Sequence, residues 1–170
     1  MECFRIVGPT RLEGEVTASG AKNAALPALA ASLLSEGPLE LSGLPAVRDI
    51  RTMRQLLAHL GVESEKCGEV LGLRAGTQAR SDDAPYELVK TMRASILVLG
   101  PLVALLGHAR VSLPGGCAIG VRPIDQQHAG LEALGADVEL EHGYVSARSR
   151  RMTGGAFRFN LTTVTSTENL

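Results

Sequence analysis

The chain of 170 residues is poor in aromatic side chains, which make up 3% of it, and it contains no tryptophan. A hydrophobic core must therefore be built from leucine, valine, isoleucine and alanine. Hydrophobic residues supply 45% and charged residues 21% of the chain, a balance typical of a globular protein. The length suffices for one domain of ordinary size.

The chain also lacks an excess of charge of either sign. Its 17 Lys and Arg residues face 18 Asp and Glu residues, which gives a formal net charge of -1, and no basic block is present. Nucleic-acid binding depends on clustered basic side chains that neutralise phosphates. We therefore expect no nucleic-acid partner.

No long hydrophobic run is present. The longest apolar stretch, 96–106, is interrupted by Gly100 and Pro101. It is much shorter than the ~20 residues that a helix needs to cross a bilayer. The first residues also lack the charged and then apolar pattern of a secretion signal. We expect no membrane insertion and a cytoplasmic location.

Cysteine is scarce. Cys3, Cys67 and Cys117 are widely spaced and odd in number, which favours reduced thiols over a disulfide framework. None of the four histidines lies at ligand spacing from a cysteine or from another histidine, so no metal site is predicted.

Two copies of one layout are present, over residues 14–75 and 86–149. Residues 57–63 match 131–137 at an offset of 74 residues, and residues 37–42 match 107–112 at an offset of 70. Apolar periodicity and turn residues predict the elements of each copy. The first copy is predicted to contain a strand at 15–19, helices at 23–34 and about 50–60, a strand at 39–42, and a hairpin of 62–65 with 69–74 joined at 66–68. The second is predicted to contain helices at 88–106 and 126–134, a strand at 110–113, and a hairpin of 137–141 with 144–148.

The difference between the two offsets is an insertion of four residues, which falls in the glycine-rich loop 114–123. Insertions between matched units often carry function. The loop contains Cys117, and Arg122 follows five residues later. Two interpretations stay open for Cys117: a nucleophile or proton donor in a positive field, or a small apolar residue that fills space.

Three further positions invite both a functional and a structural interpretation. Lys22 and Asn23 lie at a predicted helix start, where free amides favour an anion, although a lysine there is commonly just solvated. Arg93 interrupts an apolar helix, so its guanidinium either extends to solvent or binds an anion through two hydrogen bonds. Asp125 is expected to cap the following helix.

A third copy is predicted to begin with a strand at 157–165, and its first helix is expected to start where the chain ends. Repeat units normally need their neighbours to complete a core, so we expect the chain to be a fragment of a longer protein. Such a piece is expected to be inactive and only marginally folded on its own.

Four segments occur in order along the chain: 4–12 (FRIVGPTRL), 19–27 (SGAKNAALP), 89–95 (VKTMRAS) and 113–123 (LPGGCAIGVRP). Together they resemble the UDP-N-acetylglucosamine 1-carboxyvinyltransferase family, the enolpyruvyl transferases of peptidoglycan synthesis. The resemblance spans essentially the whole chain and about the first two fifths of the usual family length.

The resemblance implies an α/β fold, an inside-out barrel built from βαβαββ repeats, with two similar domains and the substrates between them. Residues 1–20 are expected to form N-terminal strands that pack with the second domain, and 21–170 an incomplete first domain whose third repeat begins about 157. The implied reaction transfers the enolpyruvyl group of phosphoenolpyruvate to the 3-hydroxyl of UDP-N-acetylglucosamine and releases phosphate. It requires no metal or organic cofactor, and the implied partners are these two substrates and the remainder of the chain.

The resemblance also implies roles for individual residues. Cys117 is expected to donate a proton to the phosphoenolpyruvate methylene, to form a covalent adduct with it, and to be the target of fosfomycin. Lys22 and Asn23 are expected to contact phosphoenolpyruvate, which Arg122 also reaches. Arg93 is expected near the nucleotide sugar. The segment implied to bind the uridine nucleotide comprises Arg122, Pro123, Ile124, Asp125 and Gln126.

One segment departs from the best-known family pattern. Many members have Ser-Val-Gly-Ala-Thr before the third helix, where this chain has Thr163-Val164-Thr165-Ser166-Thr167. Thr163 and Val164 still match nucleotide-contacting positions. Two alternatives stay open: the sister transferase of shikimate 3-phosphate, against which the Pro-Gly-Gly-Cys sequence argues, and a non-catalytic module that binds an anion or a nucleotide.

Overall fold

The computed structural model describes residues 3–76, 81–113 and 124–170. Within these residues the chain alternates helices with short strands, and two 3₁₀ helices, Ser32–Leu34 and Arg93–Val98, adjoin α-helices. The α-helices are α1 (Lys22–Ala31), α2 (Arg48–His59), α3 (Tyr86–Val89), α4 (Leu99–Leu106), α5 (Asp125–Ala133) and α6 (Val164–Asn169). The strands are β1 (Leu39–Ser42), β2 (Val62–Cys67), β3 (Val70–Ala75), β4 (Asp83–Ala84), β5 (His108–Ser112), β6 (Asp137–Glu141) and β7 (Tyr144–Arg148).

The strands form two sheets with the same internal order. The first sheet has the order β1-β3-β2 and is antiparallel. The second has the order β4-β5-β7-β6, in which β5, β7 and β6 repeat the first sheet and β4 adds a parallel strand beside β5. The predicted duplication and the predicted α/β class are thereby confirmed, and the second unit shows the complete βαβαββ order.

Both long helices that precede a hairpin end in the same way. Leu60 and Leu134 are the C-cap residues of α2 and α5, and each is followed by a glycine with positive φ, 88° at Gly61 and 95° at Gly135. A glycine adopts this left-handed conformation without steric cost, so the chain can leave the helix and enter the next strand directly. Because both copies leave the helix and enter the hairpin through the same leucine-glycine pair, the offset between the copies stays at 74 residues over this segment.

The first helices of the repeats carry the core. Leu29 in α1 and Leu99 and Leu102 in α4 are completely buried, and every residue from Leu99 to Val103 is buried. A helix that is apolar on all sides must be covered on all sides. The sheets and the amphipathic helix α2, which buries Met53, Leu56 and Leu57, supply part of this cover.

The predicted helix at 88–106 is wrong as a single element. It consists of α3, a 3₁₀ helix from Arg93 and then α4. Pro101 lacks the amide that would bond to the carbonyl four residues earlier, so a new α-helix begins at Leu99 with proline in its first turn. Arg93 matches Asn23, near the start of α1, at the offset of 70 residues. The 3₁₀ helix that begins at Arg93 therefore starts the helix of the second repeat that corresponds to α1, and α3 belongs to the connection before it.

Two predicted strands are absent from the structure. Residues 15–19 are exposed and form no strand, and neither do residues 157–165, where α6 already begins at Val164. Alternating sequence is not sufficient for a strand, because the ladder of hydrogen bonds needs a partner.

Among the described residues the first hairpin also differs from the prediction in its turn, which lies at Gly68 and Glu69. None of the described helices is long and apolar enough to span a membrane.

The contact between α4 and α6 yields a prediction about stability. A Cβ on Gly100 would lie 2.1 Å from the backbone oxygen of Asn169. Alanine normally stabilises a helix relative to glycine by about 1 kcal/mol. We nevertheless expect Gly100→Ala to lower the free energy of unfolding by about 1–3 kcal/mol, because the two helices must separate. Denaturant unfolding measures this difference.

The matched control is Gly37→Ala, since a Cβ there would meet no atom within 4 Å. This control should leave stability nearly unchanged. A Gly100→Ala protein as stable as the parent would show that the close approach of α4 and α6 does not exist.

Candidate functional site

Lys22 and Asn23 are the first two residues of α1, as the sequence predicts, and both are exposed. The preceding residue is Ala21, which offers no side-chain cap to the helix. The first amides of a helix have no acceptor within the helix, and a cap normally satisfies one of them. The start of α1 therefore combines uncapped amide donors with an ammonium group and a carboxamide, which together favour an anion.

The ammonium group of Lys22 is held by a carboxylate from the next helix. Its Nζ donates to Oδ2 of Asp49 over 2.8 Å, and the two residues are 27 positions apart in sequence. Asp49 lies in the first turn of α2. The contact therefore depends on the packing of α1 against α2 rather than on local sequence.

The start of α2 is also uncapped, since its N-cap residue is Val47 and makes no side-chain hydrogen bond. The positive ends of two helices thus lie near one another, with one ammonium group added. Asp49 supplies the compensating negative charge. The arrangement holds Lys22 at a fixed place while leaving 46% of its side chain open to solvent.

Arg93 lies at the first position of its 3₁₀ helix and is half-buried. That 3₁₀ helix contacts both α1 and α6. The structure therefore places Arg93 on an element between the one that begins with Lys22 and Asn23 and the one that begins with Val164.

A second group of predicted residues meets where α5 approaches the segment before α6. Oε1 of Gln126 accepts a hydrogen bond of 2.9 Å from the backbone amide of Asn160. Thr163 is the N-cap of α6, and its hydroxyl oxygen accepts from the amide of Ser166. Val164 follows and is exposed. The hydrogen bond therefore links Gln126 to the chain three residues before Thr163, although 34 residues separate its two partners.

The predicted capping role of Asp125 is wrong. The N-cap of α5 is Ile124, which makes no side-chain hydrogen bond, and Asp125 is the first residue of the helix itself. A residue in the first turn has helical backbone angles, so its side chain no longer points back to the free amides as that of a cap does. Asp125 instead offers an exposed negative charge at the positive helix end.

Three predicted site residues, Cys117, Arg122 and Pro123, lie outside the described residues. The described chain ends before them at Leu113, just after β5, and resumes at Ile124, just before α5. Leu113 is anchored there, because its amide donates to the carbonyl of Gly143 over 2.7 Å.

Sequence reasoning missed Asp49 and the bond from Gln126 to Asn160. An aspartate in the first turn of an amphipathic helix is an available signal, but it indicates only a favourable interaction with the helix dipole. Neither periodicity nor spacing tells which residue of another helix will face it. Pairs of this kind depend on the tertiary packing.

Residues 6–170 match the EPSP synthase (3-phosphoshikimate 1-carboxyvinyltransferase) family. The chain belongs to the EPSP synthase family. A relative within it, a UDP-N-acetylglucosamine 1-carboxyvinyltransferase of Desulfosudis oleivorans (strain DSM 6200 / JCM 39069 / Hxd3), is 55% identical over all 170 residues. The chain spans 40% of the length of that relative.

Solved structures show the fold of this EPSP synthase family member. The enolpyruvyl transferase NikO from Streptomyces tendae matches with a TM-score of 0.72 at 23% identity, over 86% of this chain and 32% of its own. EPSP synthase from Acinetobacter baumannii matches with a TM-score of 0.70 at 18% identity, over 92% of this chain and 36% of its own. The predicted architecture of enolpyruvyl transferase repeats is confirmed by these likenesses.

One titratable group lies on the helix that carries Asp125 and Gln126. Burial lowers the pKa of His128 below 6.5, although Glu132 and Asp125 act in the opposite direction. Its Nε2 is buried, and no described residue is a hydrogen-bond partner. The fold therefore favours the neutral imidazole.

The consequence is a dependence of stability on pH. Well above pH 6.5 the imidazole is neutral in both the folded and the unfolded chain, so its contribution is fully present. As the pH falls below this value, the unfolded chain takes up a proton first, and stability decreases until the folded imidazole also titrates. We expect the loss to be smaller in His128→Gln. Unfolding at pH 7.5 and 5.0 tests this expectation, and equal losses in both proteins would contradict it.

Proposed function

We propose that the full-length protein transfers the enolpyruvyl group of phosphoenolpyruvate to the 3-hydroxyl of UDP-N-acetylglucosamine and releases phosphate. This reaction is the first committed step of peptidoglycan synthesis and takes place in the cytoplasm. The observation that carries the proposal is the 55% identity, over the whole chain, to a UDP-N-acetylglucosamine 1-carboxyvinyltransferase. The proposed reaction serves cell-wall biogenesis and hence cell shape and division.

The proposed reaction needs one proton donor and a strong positive field. The acceptor hydroxyl adds to C2 of phosphoenolpyruvate and loses its proton, while Cys117 gives a proton to C3. Elimination from this tetrahedral intermediate then removes a proton from C3, expels phosphate and restores the double bond. No metal or organic cofactor enters this sequence.

The start of α1 is the proposed phosphoenolpyruvate subsite. Lys22 provides an ammonium group, Asn23 a carboxamide, and the uncapped helix end its amides. All of these stabilise a phosphate or a carboxylate, most strongly as negative charge develops during addition. Arg122 is proposed to reach the same substrate from its loop.

The joined segments of α5 and α6 form the proposed nucleotide subsite. It comprises Arg122, Pro123, Ile124, Asp125, Gln126, Thr163 and Val164, with Arg93 near the sugar. The hydrogen bond that the amide of Asn160 donates to Oε1 of Gln126 supports the proposal, because it ties the start of α5 to the chain just before Thr163. Residues 1–20 are proposed to pack with the second domain of the longer chain.

The decisive test measures phosphate release from phosphoenolpyruvate by the full-length protein, with and without UDP-N-acetylglucosamine. We expect release only with the sugar nucleotide and a loss of at least 100-fold in Cys117→Ala, because general acid catalysis typically contributes this much. Cys67→Ala is the matched control, since that exposed thiol lies at the end of β2 and should not matter. Fosfomycin should inactivate the parent and the control alike, but should not modify Cys117→Ala.

Two outcomes would contradict the proposal. Release that requires shikimate 3-phosphate instead would favour the sister transferase, and nucleotide binding without any release would favour a binding module. The 170-residue chain alone should release no phosphate, because it spans only 40% of the length of the relative.

A separate prediction concerns Gln126. Gln126→Ala removes the acceptor for the Asn160 amide, so the start of α5 loses its hydrogen bond to the chain before Thr163. We expect the KM for UDP-N-acetylglucosamine to rise about 10-fold, the worth of a hydrogen bond of about 1.4 kcal/mol, with little change in the KM for phosphoenolpyruvate. Initial-rate kinetics with each substrate varied in turn measure both constants. An equal rise in both would contradict a role confined to the nucleotide.

A further inference from the structure

We propose that Asp49 is a positioning residue that fixes Lys22 for phosphoenolpyruvate. The inference rests on the proposed function, because it assigns a task within the phosphoenolpyruvate subsite. Asp49 matches no motif in the sequence analysis, and its assignment comes from the structure alone.

The first argument is geometric. Asp49 uses a single carboxylate oxygen, Oδ2, to accept from Nζ of Lys22 over 2.8 Å. An ammonium group has three donors, so Lys22 keeps two for a bound anion. The side chain of Asp49 is only 30% exposed, whereas that of Lys22 is 46% exposed. The less exposed carboxylate thus holds the more exposed ammonium group and leaves part of it open to solvent.

The second argument is electrostatic. Asp49 stands in the first turn of α2, where the uncapped helix end attracts a carboxylate. Two uncapped helix ends and an ammonium group would repel one another without a negative charge between them. Asp49 supplies this charge where the two helices meet and where Lys22 needs its partner.

The third argument concerns conformational entropy. A free lysine side chain carries about 2 kcal/mol of rotamer entropy, part of which is lost when it binds a ligand. An ion pair that already holds Lys22 reduces that loss when phosphoenolpyruvate binds, and it keeps the ammonium group in place as charge develops. A partly exposed ion pair of this kind adds little to the stability of the fold.

The test uses the full-length protein with three variants, Asp49→Asn, Asp49→Ala and Asp49→Glu. We expect kcat/KM for phosphoenolpyruvate to fall about 10- to 100-fold in Asp49→Asn and at least as far in Asp49→Ala, the range that misplacement of a reacting group produces. Asp49→Glu keeps the charge and should recover most of the loss. The KM for UDP-N-acetylglucosamine should stay within error of the parent, and the unfolding midpoint should fall only slightly, because a carboxylate at a helix start contributes modestly to stability.

The matched control is Asp83→Asn. Asp83 also pairs with a basic residue, Arg110, over 3.4 Å and has a similar side-chain exposure of 36%, but it lies on β4 of the second sheet. This variant should retain the kinetic constants of the parent.

Three outcomes would overturn the inference. An Asp49→Asn protein whose constants for phosphoenolpyruvate lie within two-fold of the parent shows that Lys22 needs no positioning. A rise in both KM values together with a lower unfolding midpoint shows that Asp49 is structural. A parent protein without phosphate release refutes the proposed function and this inference with it, whereas an active parent and an unaffected variant refute the inference alone.

Discussion

The architecture depends on one constraint: the first helix of each repeat must bury a large apolar surface. All residues of α4 from Leu99 to Val103 are buried, and α1 buries Leu26 and Leu29. Such helices must be enclosed by sheets, by amphipathic helices and by one another. The close approach of α4 to α6, with Asn169 Oδ1 accepting from the amide of Gly100 over 2.9 Å, is one result of this enclosure.

The same enclosure determines where chemistry can take place. The middle of a buried helix is inaccessible, so only its ends meet solvent, and the candidate residues Lys22, Arg93 and Val164 all stand at helix starts. Helix starts also carry the amide donors that an anion requires. A repeat built around buried helices therefore leaves helix starts, with their free amides, open to solvent.

Sequence analysis predicted the elements whose signals are local. The hairpin of β6 and β7 has the predicted bounds and turn, β1 matches residue for residue, and α2 follows its apolar periodicity. It failed where the outcome depends on partners, as with the strands predicted at 15–19 and 157–165. It also merged α3 with the repeat helix, because an apolar run shows burial but not the point at which one helix gives way to another. Lys22 and Asn23 were predicted from their motif to lie at a helix start, where the structure has them, whereas the contact of Asp49 with Lys22 became evident only from the packing of two helices.

The outer edge of the first sheet has a further consequence. In the second sheet β4 covers the edge of β5, but among the described residues nothing pairs with the equivalent edge of β1. An uncovered strand edge is a template for aggregation between copies of a chain. Here the edge is only four residues long and carries the exposed carboxylate of Glu40, two features that oppose such pairing. The short length of β1 and the charge of Glu40 thus both work against a strand of another molecule pairing with this edge.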